Sequence, residues 1–169
     1  MSRWMTGLAL SGAMALAGCA SDTVSEQPSF YRSLAVSGAE VDANAAASMI
    51  SGYRRNNGLG PVVVDPDLMR AAAEQSRAMA QRDKLDHSVN RDFRDRIRRS
   101  GFDARIAVEN IGAGYHTLAE AFSGWRDSPS HRANMLKSGV THMGIAATYA
   151  PGSKYKVFWT LILADKDPV

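Results

Sequence analysis

The stretch GWRDSPSHRANML, Gly124 to Leu136, reads as the seam between two helices, with a histidine in the first turn of the second. Ser128 is a cap residue and Pro129 suits a first helical position, so His131 falls within the opening turn. The partial positive charge of a helix start disfavours a protonated imidazole. A neutral imidazole keeps a lone pair for a proton, a metal or a hydrogen bond. The local pattern alone leaves a second reading open, that His131 is simply a polar first-turn residue.

Working outward, TLAEAFSGWRDS (117–128) forms a helix whose apolar side is Leu118, Ala121, Phe122 and Trp125. Downstream, HMGIAATYA (142–150) and KYKVFWTLILAD (154–165) alternate as two strands around a turn at Pro151-Gly152. Upstream, ARIAVENIG (104–112) is a strand, and Arg91 to Ser100 a short helix ended by Gly101. Residues 41–60 and 65–85 carry helical spacing on either side of the short strand PVVVDP (61–66). Helices come early and strands mostly late. That order predicts an α+β fold with a mostly antiparallel sheet rather than alternating βαβ units.

Composition narrows the function classes. A chain of 169 residues, 45% hydrophobic and 22% charged, fits one globular domain plus a tail. The net charge of +3 is mild, and the densest basic run, RDFRDRIRRS (91–100), has Asp92 and Asp95 inside it. This run reads as a solvated helix face, so nucleic acid is not an expected partner. G-x-S-x-G, H-E-x-x-H and G-x-x-x-x-G-K-[ST] are absent, which removes the usual nucleophile, zinc-protease and phosphate-loop signatures.

The first residues, MSRWMTGLALSGAMALAGCAS, place Arg3 ahead of an apolar run that is shorter than the roughly 20 residues a bilayer span needs. The layout is that of a secretory signal. Its LAGC ending resembles a bacterial lipoprotein signal, implying cleavage before Cys19 and lipidation of that residue, the chain's only cysteine. The expected organisation is a signal peptide at 1–18, a lipidated cysteine and flexible tether at 19–40, a domain at 41–165 and a tail at 166–169. An exported, membrane-anchored protein follows, with Ala20 after the cysteine resembling outer-membrane sorting to the periplasmic or surface face.

LDHS (85–88), ENIGAG (109–114), GWRDSPSHRANML and MGIAATYA (143–150) together resemble the bacterial branch of the CAP superfamily, the cysteine-rich secretory, antigen five and pathogenesis-related proteins. The resemblance runs from about Asn44 to Ala164. It implies an α-β-α sandwich and so adds a second helical layer. It also implies that His87, Glu109 and His131 line one cleft, either as ligands for zinc or another divalent cation or as a hydrogen-bonded cluster. Val108 replaces the glycine that many relatives carry before the glutamate. In bacterial members an acid commonly precedes the IG strand. Here VTHMGIA puts His142 at that place, which implies three imidazoles and one carboxylate in the cleft. Asn110 is expected to satisfy backbone groups, Trp125 to pack in the core and His116 to face solvent. Three functions fit: a non-catalytic binding module for an apolar or envelope-derived ligand or partner beside the polar cluster, which is the favoured reading, a metal-dependent hydrolase using the same cleft with Glu109 as base, and a purely structural domain. Oligomeric state is left open.

Overall fold

Two aspartates start the first two helices of the computed structural model, which describes residue 1 and residues 27–166. Asp42 accepts the Ala45 amide at 2.9 Å and opens α1 (Ala43–Arg55). Asp65 accepts the Asp67 and Leu68 amides at 2.8 and 3.1 Å, with Pro66 as the first residue of α2 (Pro66–Arg82). Each carboxylate satisfies amides that a helix start leaves unpaired. Between them lies β1 (Val63–Val64). Asp92 caps α3 (Phe93–Ser100), which Gly101 closes at φ 85° in the left-handed region. Then come β2 (Ala104–Ala113) and α4 (Leu118–Asp127), the latter begun by a reciprocal Thr117–Glu120 capping box. The remaining elements are α5 (Pro129–Met135), β3 (His142–Tyr149) and β4 (Val157–Lys166). Ser128 holds the cap position of α5 as expected, but its side chain makes no capping bond.

The sheet order is β1-β3-β4-β2, antiparallel except for the β1–β3 pair. Registers align Glu109 with Ile162 and Ile162 with Gly144, so these three share one face of the sheet. α2 and α3 cover that face through Leu68, Ala72, Ile97 and the adjoining Phe102. The helix lies directly on the strand at Gly144, where a Cβ would sit 2.1 Å from the Leu68 carbonyl carbon. The opposite face, with Met143, Ile145, Trp159, Leu161 and Leu163, packs on α1, α4 and α5 through Ala46, Ile50, Trp125 and Met135. The fold is thus α+β, with helices on both faces of a small, mostly antiparallel sheet.

Arg54 ties one helical layer together without a carboxylate. It is 1% exposed and donates to the carbonyls of Gly60, Met135, Lys137 and Val140 at 2.8 to 3.1 Å. Those carbonyls, at the end of α5 and in the loops at 60 and 137–140, would otherwise be unpaired acceptors.

The domain begins earlier than Val41. Residues 29–31 form a short 3-10 helix against α1 and α4, Leu34 is 6% exposed, and its amide donates to the His116 carbonyl at 2.7 Å. Phe30, Ala35 and Ala39 pack on the same core. A few apolar residues in a polar stretch anchor it to the helices, so the part of the tether read over 28–40 is domain. Lys166, expected in the tail, is the last residue of β4. Cys19 and the signal reading lie outside the described residues.

Candidate functional site

Glu109 projects from β2 toward α3 and the connection that follows α2, and its side chain is 2% exposed. One carboxylate oxygen meets His87 Nδ1 at 2.8 Å, and the other is ion-paired with the guanidinium of Arg96. Arg96 is itself fully buried. It donates to Gln75 Oε1 at 2.8 Å and, more weakly, to the carbonyls of Arg91 and His87 at 3.3 and 3.4 Å. Gln75 in turn donates to the Asp86 carbonyl at 2.7 Å. A buried ion pair thus fastens the loop that carries His87 to α2, α3 and β2, leaving the His87 side chain 53% exposed.

Arg96 and Gln75 were not identified from sequence. Arg96 lies within the run read as a solvated face, yet Phe93, Arg96, Ile97 and Ser100 follow the i, i+3, i+4, i+7 spacing of one helix side. That spacing was the available signal. Its guanidinium lies 5.5 Å from the centre of the Phe93 ring. The other charged residues of the run are at least partly exposed as expected, with Asp95 paired to Arg91, Arg98 and Arg99.

His131 sits in the first turn of α5, near enough to His87 for the two to interact electrostatically, with no hydrogen bond from its ring to Glu109 or His87. Burial first, and then the charge of His87, hold its imidazole pKa below the ordinary value, which keeps it neutral at pH 7. Its carbonyl accepts Asn110 Nδ2 at 2.9 Å, and Asn134 Nδ2 donates to the Glu109 carbonyl at 3.0 Å and to Asn110 Oδ1 at 2.9 Å. Asn110 therefore satisfies backbone as expected, while α5 covers part of the β2 edge. Trp125 is 1% exposed and donates to the Ile111 carbonyl at 3.2 Å, and His116 is exposed.

His142 lies elsewhere. It opens β3, with Nδ1 at 2.8 Å from Thr141 Oγ1 and its ring edge-on to Phe102 at 5.5 Å. Gly144, not His142, is level with Glu109, and β4 lies between the two strands. Strand spacing and rise put His142 about 12 Å from Glu109. The cleft therefore holds two imidazoles rather than three. Linear order had set His142 in the place of an acid, but sheet order removes it from the cluster.

A metal does not suit this donor set. Among the described residues, no group of three or more His, Cys, Asp or Glu side chains is arranged to hold an ion. Both Glu109 oxygens are already engaged, one by the guanidinium of Arg96. Two imidazoles fall short of the three or four protein ligands of zinc sites.

A hollow of about 680 Å³ opens at the far edge of the sheet, between α2, β3 and residues 37–41. Val41, Met69, Ala73, Ile145 and Ala147 give it apolar walls, and Arg77 adds a cation. None of the three clustered residues lines it.

A model of the cysteine-rich secretory protein family (CAP) matches residues 47–163. The uncharacterised protein YkwD of Bacillus subtilis is 32% identical over 95 residues, which are 54% of this chain and 37% of that protein. The uncharacterised membrane protein YlbC of the same organism is 29% identical over 94 residues, 54% of this chain and 27% of that protein. The matches thus span well under half the length of these relatives. Among solved structures, an extracellular protein with an SCP domain from Bacillus anthracis superposes at a TM-score of 0.64. It has 23% identity, over 73% of this chain and 40% of that one. An outer surface protein of Borrelia burgdorferi superposes at 0.64 with 17% identity, over 77% of this chain and 99% of that one. These likenesses carry the fold.

Proposed function

This chain belongs to the cysteine-rich secretory protein (CAP) family, and from that premise we propose that it is an exported binding module for an apolar, envelope-derived ligand, without hydrolytic activity of its own. The observation that carries the reading is the coordination of Glu109, whose two oxygens are held by Arg96 and His87. A carboxylate so held, with its side chain 2% exposed, is turned away from the water it would have to activate, which weakens the alternative of a metal-dependent hydrolase. The polar cluster acts as a tie among α3, β2 and the His87 loop. The ligand belongs at the hollow between α2 and β3 rather than beside the cluster, because Val41, Met69, Ala73, Ile145 and Ala147 give the hollow apolar walls. Its volume of about 680 Å³ lies within the range common for small-molecule sites.

A fluorescent long-chain fatty acid titrated into the purified protein tests this. Binding should be saturable, and Ala73→Trp, which fills the hollow, should weaken it by about tenfold or more. Zinc-dependent ester or peptide hydrolysis by the wild type, abolished in Glu109→Gln, would establish the hydrolase instead.

Export is supported by the extracellular and outer-surface descriptions of the two solved neighbours. The proposed anchor is lipid on Cys19, at the end of the LAGC box. Cys19→Ser protein should leave the membrane fraction with an unchanged circular dichroism spectrum, since no other cysteine exists to cross-link the fold. Retention of the variant in membranes rules out the lipid anchor.

A further inference from the structure

The outer edge of β2 has a covered half and an open half. Gly114 donates to the Val157 carbonyl at 3.0 Å, so the even-numbered residues of β2 pair with β4 and the odd-numbered ones turn outward. Side chains cover two of the outward carbonyls: Trp125 Nε1 on Ile111 at 3.2 Å and Asn134 Nδ2 on Glu109 at 3.0 Å. Ala107 is the next outward residue, and its amide and carbonyl make no hydrogen bond to any described residue. A register shift between Ala104 and Ile106 ends the open stretch.

Ala107 lines a groove of about 570 Å³. Phe93 and Ile97 of α3 form one apolar wall, and Lys137, beyond α5, closes the other side. Arg94, Arg98, Arg105 and Lys137 line it with no carboxylate among the lining residues. Arg98 and Arg105 are paired with Asp95 and Asp165. Arg94 and Lys137 make no ion pair among the described residues.

We propose that this groove captures an extended acidic segment of a partner protein by strand addition to β2. Main-chain groups of the segment pair with the Ala107 amide and carbonyl, and its carboxylates meet Arg94 and Lys137. A peptide supplies both the acceptor and the donor that Ala107 requires, whereas a phosphate group supplies acceptors only. A second copy of β2 would bring the same Arg94 and Lys137 and be repelled, so the basic edge selects an acidic strand while deterring self-pairing.

The test uses the full chain and a blocked, fluorescently labelled hexapeptide of alternating valine and glutamate. Anisotropy reads the affinity, and heteronuclear NMR follows the Ala107 amide. The expected result is saturable binding with a shift of the Ala107 resonance, and a loss of about tenfold or more in the doubly substituted Arg94→Glu, Lys137→Glu protein. Both substituted side chains are on the groove's rim, and an unchanged circular dichroism spectrum verifies the fold. A peptide N-methylated at alternate residues should bind at least about tenfold more weakly, because charge alone does not replace main-chain pairing. Equal binding of a valine–lysine hexapeptide, or an unmoved Ala107 amide at saturation, overturns the proposal. So does binding confined to phosphatidylglycerol vesicles, which would make the basic edge a membrane contact.

Discussion

Arg96→Leu should destabilise the domain by about 3–5 kcal/mol in urea unfolding, because it leaves a buried carboxylate without its counter-ion. Glu109 is 2% exposed at the side chain and Arg96 fully buried, so water cannot replace the lost partner. The substitution also strips Gln75 Oε1 of a donor and loosens the loop held through the His87 and Arg91 carbonyls. Combining Arg96→Leu with Glu109→Gln should recover part of the loss, since the neutral amide is cheaper to bury than an unpaired charge. A single-variant loss below about 1 kcal/mol would mean that the pair is open to solvent, as surface ion pairs are. That result would also remove the argument that Glu109 is too engaged to act as a base.

Trp125→Ala should cost a similar amount, about 3–5 kcal/mol, for a different reason. The indole is 1% exposed and packs edge-on against Trp159, with ring centres 6.2 Å apart. It also covers the outward carbonyl of Ile111. Alanine leaves a cavity between α4 and the sheet together with an unpaired buried acceptor. Trp125→Phe should keep most of the packing and lose about 1–3 kcal/mol, the cost of leaving the buried Ile111 carbonyl unpaired. Thermal or urea unfolding separates the two contributions. Equal stability of Trp125→Ala and wild type would contradict the placement of α4 against the sheet.

Where those two residues lie was legible to different degrees. Trp125 falls on the apolar stripe with Leu118, Ala121 and Phe122, so helical spacing alone assigns it to the core. Arg96 falls on a stripe too, but its charge and basic neighbours made the run look solvated. Burial of an arginine depends on a carboxylate arriving from another strand, and no local window contains that information. The packed segment around Leu34 escaped for a related reason, since a single leucine in a polar stretch carries no period.

By itself the sequence determined the local elements, because capping aspartates, Gly101 and the two periodicities act over a few residues each. It also determined the CAP membership, through motifs that kept their order along the chain. Only tertiary structure decided what those motifs do to one another. The order β1-β3-β4-β2 set β4 between His142 and Glu109, and so reduced three histidines in one cleft to two. It brought Arg96 onto Glu109 and left Ala107 facing outward on an edge strand. These are relations between residues distant in sequence. They depend on which strands become neighbours, and the pairing energy that selects neighbours comes from whole faces being buried rather than from any single stretch.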